Sequence, residues 1–289
     1  MNLRKYLKRG LQYVRYGIPE KPVYAQISTL APNELLKERT ALITGGTSGI
    51  GYAISKAFLQ AGAKVIITGR NKEKVDKACY SLSQETGMNT ISGIQMDNTD
   101  VSSFQLKFES IIKMAGQIDI LVNNAGILGG NINNSTEEEF DKVLQTNLKG
   151  VFFLSQLIGR YFKRNNIHGN IMNIASSSSL RPATSAYTIS KWGIRGLTLG
   201  LARILAPYDI VVNGIAPGPT ATPMLMRNGV RDDIVLRKSL AGRYATPEEI
   251  ASMAVVLVSN MSRMVIGDIV YMTGGAGILT NDDINYNFD

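Results

Sequence analysis

The sequence predicts an α/β fold in which a single doubly wound domain carries a seven-stranded parallel sheet with helices on both faces. Three observations predict it. From about residue 38, short runs rich in β-branched residues alternate with longer helix-like stretches. The runs are continuously apolar, as in strands buried on both faces. No composition break follows, and 44% hydrophobic residues in a chain of 289 suffice for one large core.

Thr40–Thr44 (TALIT) is the first strand, followed by Gly-rich sequence and a helix to about Gln60. Lys64–Thr68 (KVIIT) is the second strand, with a polar helix after it through Glu85. Thr90–Met96 and Ile118–Val122 are the third and fourth strands, and the stretch between them receives no element. A long helix is expected over about Thr136–Lys163, a fifth strand over Asn170–Ile174 and a helix over about Ser185–Ala206. Ile210–Ile215 is the sixth strand. The last helix starts with Thr246 as N-cap and Pro247 at the first position, with Glu248 and Glu249 favoured by the positive helix end. Ile269–Met272 closes the sheet as the seventh strand.

The charge balance is 31 basic against 23 acidic side chains, a net +8. Residues 1–40 hold eight basic and three acidic ones, so the excess belongs to an N-terminal arm, placed at 1–37 ahead of a domain at 38–289. A nucleic-acid binder carries its basic stripe across the fold, and no nucleic acid is expected here. No apolar run nears the roughly 18–20 residues of a membrane span. Residues 1–20 lack the apolar core of a secretory signal. Leu3, Leu7, Leu11 and Val14 can share one face of a basic helix, so membrane-surface contact or an organelle transit peptide stands as the alternative to a solvated arm. One cysteine, Cys79, excludes an internal disulfide and fits a cytoplasmic protein. With His168 as the single histidine, a His/Cys zinc site is excluded, no metal is expected, and a Ser-His-Asp triad would have to run through that residue.

The first strand ends in Thr44-Gly45-Gly46-Thr47-Ser48-Gly49-Ile50-Gly51, a TGxxxGxG turn that opens a helix. Such a turn lets backbone approach a pyrophosphate, whose charge meets free N–H groups at the helix start. This is a Rossmann-type nucleotide site. The second strand ends in Gly69-Arg70, where an acidic residue would accept from the ribose 2′-OH of NAD. Arg70 instead suits a 2′-phosphate through its planar fork, so NADP is preferred and NAD is the alternative. Tyr187 and Lys191 stand at i, i+4 on one helix face, where an ammonium lowers the pKa of a phenol. Tyr52 and Lys56 repeat that spacing behind the Gly turn, where packing or solvent is expected. The Tyr187 pair differs in following a strand that ends Asn173-Ile174-Ala175-Ser176, and strand ends are where α/β sites lie.

Over roughly residues 38–277 the chain resembles the short-chain dehydrogenases/reductases, in the branch that includes 3-oxoacyl-carrier-protein reductases. The resemblance rests on TGGTSGIG at 44–51, Asp97, NNAG at 123–126, Asn147, Ser176, YTISK at 187–191, and Pro217-Gly218 followed by Thr222. It implies Tyr187 as general acid in reduction or base in oxidation, and Lys191 as holder of the nicotinamide ribose. It implies Ser176 as donor to the substrate carbonyl, and Asn147 as holder of a water beneath Lys191. Cofactor contacts are implied at Gly45, Thr47, Ser48, Gly49, Ile50, Gly51 and Arg70. Further contacts fall on Asp97, Asn98, Asn124, Ala125, Gly126, Pro217, Gly218, Thr220 and Thr222, with Tyr187 and Lys191. Asn124 is the one most readily reassigned to structure.

The chain departs from the family pattern at Ser176 and Tyr187, which are 11 apart where about two more residues are usual. Four hydroxyls follow one another at 176–179, with Ser176 the choice and Ser178 the second. The expected lid, Pro223–Tyr244, mixes Met224, Leu225, Met226 and Leu236 with Arg227, Arg231, Arg237, Lys238 and Arg243. The expectation is an oxidoreductase passing hydride between NADP(H) and a ketone or secondary alcohol, a 3-oxoacyl thioester among the candidates. The rivals are an NAD-dependent alcohol, sugar or steroid dehydrogenase, and a catalytically silent nucleotide sensor or scaffold. The resemblance also implies a homodimer or homotetramer.

Overall fold

The computed structural model describes residues 34–226, 234–236 and 239–276. Most of the arm and the side chains of Arg227, Arg231, Arg237 and Lys238 lie outside the described residues. The described strands are β1 (Thr40–Thr44), β2 (Lys64–Gly69), β3 (Ile91–Gln95), β4 (Ile120–Asn123), β5 (Asn170–Ile174), β6 (Val211–Pro217) and β7 (Ile269–Met272). The helices are α1 (Gly49–Gln60), α2 (Lys72–Thr86), α3 (Phe104–Ala115), α4 (Glu137–Leu144), α5 (Gly150–Arg164), α6 (Ala186–Leu205) and α7 (Pro247–Val258). All seven strands are parallel, in the order β3-β2-β1-β4-β5-β6-β7.

Strand alternation sends successive residues to opposite faces. In β1, Ala41 and Ile43 join the core under α1, α2 and α7, while Leu42 joins the one under α3, α5 and α6. Phe58, Leu82 and Val255 fill the first core; Phe104, Ile158 and Phe162 fill the second. Leu36 is fully buried in the first core, with its N–H on the Ala61 carbonyl, so packing starts ahead of β1. Arg39, one of the basic residues near the arm, is fixed inside, donating to Val258 and Asp119 carbonyls and to Asn170 Oδ1.

Two elements differ from the sequence expectation. α3 was passed over: Phe104, Phe108 and Ile111 recur at helical spacing, but in a stretch of otherwise polar residues. The single long helix is instead α4 and α5 joined by a π-helical turn, Gln145–Lys149, in which the Gly150 N–H reaches the Gln145 carbonyl. The insertion re-aims the residues around it, as such turns do at functional positions. At α7, Thr246 and Glu249 form the reciprocal cap, and Pro247 opens the helix.

Strand order reverses between β1 and β4, and the carboxyl ends of these strands open the crevice where α/β folds bind ligands.

Candidate functional site

A cavity of about 560 Å³ fills that crevice. All the site residues expected from sequence line it except Gly51 and Asn147. Gly45 has φ 66°, a left-handed conformation, and a Cβ there would lie 2.9 Å from Ala125 Cα. A Cβ on Gly51 would lie 2.4 Å from the Gly45 carbonyl oxygen, so Gly51 serves from behind by letting the helix close on the turn. Ser48 is the α1 N-cap, and its side chain makes no capping bond, which leaves first-turn N–H groups to a ligand. Asn124 clasps the turn: Nδ2 donates to the Thr44 and Gly45 carbonyls, each at 3.0 Å. Thr44 Oγ1 completes the clasp by accepting from the Asn124 and Ala125 N–H groups at 3.0 and 3.1 Å.

Arg70 follows β2 at the exposed rim, its carbonyl fixed by Gln95 Nε2 at 2.9 Å. Asp97 Oδ1 accepts from Thr99 N–H and Oγ1, both at 2.9 Å. Two buried polar atoms on residues of this wall, Asn98 Nδ2 and Thr68 Oγ1, have no hydrogen-bond partner among the described residues. Buried groups of this kind call for a partner, and a bound nucleotide would supply polar atoms beside them. The glycine cradle, the uncapped helix start and these two atoms fit a dinucleotide.

Ser176, Tyr187 and Lys191 meet at the end of β5. Ser176 caps a 3-10 turn, Ser177–Leu180, and its Oγ accepts from the Ser178 N–H at 3.1 Å. Ser185 caps α6 and so fixes its first turn, which carries Tyr187. Burial pushes the Tyr187 phenol up, while a hydrogen bond with Ser176 pulls it down. Ser178 also lies on the cavity wall, so two hydroxyls of the run face the cavity that holds the Tyr187 phenol. Lys191 is buried, and burial pushes it down to about 8. Its Nζ donates to the Ile174 carbonyl at 2.8 Å and lies 5.5 Å from the Tyr187 ring centre. Asn147 sits behind the cavity wall. Its amide accepts from Ile127 N–H and donates to the Ile127 carbonyl and Ser190 Oγ, and no hydrogen bond joins it to Lys191.

Pro217 ends β6, and the N–H of Gly218 just after it donates to the Met272 carbonyl. Thr220 Oγ1 donates to the Gly218 carbonyl at 3.0 Å. Thr222 is folded over Gly49, its methyl 3.4 Å from where a Cβ there would stand. Arg243, read as a possible substrate contact, is held by both oxygens of Glu249 at 2.8 and 2.6 Å. Tyr52 and Lys56 face away from the cavity and both donate to Glu85. His168 pairs with Asp209 at the surface and does not line the cavity.

The sequence reading missed Thr68, Met96, Ile127, Leu128, Thr146 and Arg181 on the cavity wall. Most flank a motif by one or two residues. Arg181 has no motif beside it, and only the fold brings it in.

The family model described as short chain dehydrogenase matches residues 39–232. The chain belongs to the short-chain dehydrogenase family. A 3alpha-hydroxysteroid dehydrogenase of Mediterraneibacter gnavus is 35% identical over 249 residues, covering 84% of this chain and 98% of the relative. A 3-ketoacyl-(acyl-carrier-protein) reductase from Brucella melitensis, solved with NADH, superposes with TM-score 0.74 at 30% identity over 84% of this chain and all of its own. A short chain dehydrogenase from Burkholderia cenocepacia, solved with NADP, has TM-score 0.74 and 30% identity over 83% of this chain and 98% of its own. Membership makes the chain an NAD(P)-dependent oxidoreductase, in a family whose members act on small molecules and are usually oligomeric. Among the described residues no helix is long and apolar enough to cross a membrane.

Proposed function

We propose that the enzyme reduces a ketone to a secondary alcohol with NADPH, Tyr187 giving the proton to the carbonyl oxygen. The observation that carries this reading is the convergence of Ser176, Tyr187 and buried Lys191 at one end of the cradle-bearing cavity. The bound nicotinamide supplies the hydride. The turn at Gly45–Gly51 would hold its pyrophosphate, and Arg70 its 2′-phosphate. Asp97 and Asn98 would meet the adenosine, and Pro217, Gly218, Thr220 and Thr222 the nicotinamide side.

A phenol pushed up by burial is fully protonated at neutral pH, the state a general acid needs. Ser176 orients the phenol and would donate to the carbonyl oxygen as negative charge grows there. The Lys191 ammonium, 5.5 Å from the phenol ring centre, would stabilise the phenolate left after transfer. Both Nδ2 hydrogens of Asn147 are engaged and Oδ1 accepts one bond, so a water relayed toward Lys191 would meet only the remaining lone pair of Oδ1 or the backbone. Asn147 instead locks α6 through Ser190, whose Oγ holds the Tyr187 carbonyl at 2.6 Å.

The test is cofactor oxidation followed at 340 nm against 3-oxoacyl thioesters, steroid and quinone ketones and keto-sugars. NADPH turnover that disappears in Tyr187→Phe is the expected result. Arg70→Ala should weaken NADPH sharply and NADH little; equal losses would count against the preference for NADP.

A further inference from the structure

We propose that Arg181 selects the substrate, and that the ketone reduced here carries an anionic group, a carboxylate or a phosphate. This rests on the reductase reading above and adds a substrate class to it. Four charged residues line the cavity among the described residues: Arg70, Asp97, Lys191 and Arg181. Arg70 and Asp97 lie at the β2–β3 end, and Lys191 is tied to the Ile174 carbonyl beside Tyr187. Arg181 alone stands exposed on the Ser176 side, and among the described residues no ion pair involves it. Among the described residues no carboxylate lines that side, and the cavity's apolar lining includes Ile127, Leu128, Met224 and Leu225.

This charge pattern sorts substrates. An ammonium-bearing ketone meets like charge and finds no counter-ion on that side among the described residues. A wholly neutral ketone fills the apolar wall and leaves the guanidinium to water. An oxo acid, or a thioester with phosphates on its carrier half, uses both the wall and the planar fork. Arg181 is also held at a fixed point. Its N–H donates to the Ser178 carbonyl at 3.2 Å, and its carbonyl accepts from Trp192 Nε1 at 2.8 Å. Ser178 belongs to the 3-10 turn capped by Ser176, so the selecting cation and the carbonyl-binding hydroxyl are mounted on one rigid segment.

Trp192 is the only tryptophan in the chain, so its emission reports on the Arg181 backbone without any need for turnover. The protein, saturated with NADP⁺, is titrated with two matched pairs. One is levulinate against methyl levulinate; the other is acetoacetyl-CoA against acetoacetyl-N-acetylcysteamine. Saturable emission changes at least about ten-fold tighter for an anionic member are expected, the size of one charge-assisted hydrogen bond. A preference for levulinate places the anion on a small oxo acid, and one for the CoA ester places it on a carrier. Arg181→Ala should erase the preference and Arg181→Lys restore part of it, with NADP⁺ affinity unchanged in both. Equal binding of charged and neutral members, no saturable binding by either anion, or a preference that survives in Arg181→Ala would overturn the proposal. Tyr187→Phe should keep the anion preference while losing turnover, so failure of the reductase reading shows separately.

Discussion

Tyr52 and Lys56 on α1 share their spacing with Tyr187 and Lys191 on α6, and the structure gives the two pairs opposite surroundings. On α1 a single carboxylate holds both: Glu85 accepts from the Tyr52 hydroxyl at 2.8 Å and from Lys56 Nζ at 2.7 Å. Burial, then Glu85, pushes the Tyr52 phenol up to about 12. On α6 the lysine meets a neutral backbone carbonyl in a buried place, and it is pushed down to about 8. The helix spacing puts tyrosine and lysine on one face in both cases. The third group decides the chemistry. A carboxylate pins the phenol's proton and engages the ammonium; a buried carbonyl leaves an ammonium poised at about 8 beside a buried phenol.

The largest expected contrast is catalytic. Tyr187→Phe should lower kcat/KM by roughly 10²–10⁴, the usual worth of a positioned proton donor, and Tyr52→Phe by less than about two-fold. Comparable losses in both would erase the distinction drawn between the helices.

The next contrast is in stability. Lys191 is pushed down from 10.5 to about 8 in the fold, so between these values the unfolded chain binds more protons. Stability therefore rises as pH climbs from about 8 to 10.5, and below that window the buried charge costs up to about 3 kcal/mol. Urea unfolding at stepped pH should find Lys191→Met more stable than the parent at pH 7 and without the rise. Lys56→Met should keep it.

A smaller effect concerns how firmly α6 is mounted. Thr198 Oγ1 accepts from Asn173 Nδ2, whose own Oδ1 accepts from Asn123 Nδ2, which also donates to Ser155. This buried chain ties α6 and α5 to the strands that end at the site. Thr198→Val strands an amide and should lose about 1–3 kcal/mol by thermal unfolding. Among the described residues no such chain joins α1 to the sheet, and a change there at Ser55, which donates within its own helix to the Gly51 carbonyl, should cost less.

The smallest effect is at the surface pair. The raised Tyr52 phenol contributes stability below pH 10 that is lost between 10 and about 12. Glu85→Gln should bring the phenol back toward 10 in a titration at 295 nm. It should change stability by less than about 1 kcal/mol and leave turnover unchanged.

Much of this was legible because the chemistry sits where strands end. The limits of β1, β5 and β7 follow from short apolar runs with polar or glycine neighbours. The glycine turn, Arg70, Asp97, Asn124 and Ser176 lie within two residues of a strand end and so could be placed, while Tyr187 and Lys191 were placed by their helix spacing. The four hydroxyls of 176–179 are alike in sequence, and only the 3-10 turn separates them. It turns Ser179 Oγ back on the Ser176 carbonyl and sets Ser176 Oγ to accept from the Ser178 N–H, with both Ser176 and Ser178 on the cavity wall. Asn123 and Asn173 are 50 residues apart and meet because the β4–β5 register sets them opposite each other. No local pattern encodes that meeting. Arg181 was silent for a related reason: an arginine in a loop carries no signal until the loop is seen against a cavity.

The Asn124 clasp has a consequence for traffic through the site. The turn between β1 and α1 is closed by bonds from within the protein, so its ordering entropy is lost once, when the chain folds. A dinucleotide arriving there meets a finished shape and has no loop to tame. Each exchange of spent for fresh coenzyme can then proceed at the pace of diffusion and desolvation, without rebuilding the turn between cycles.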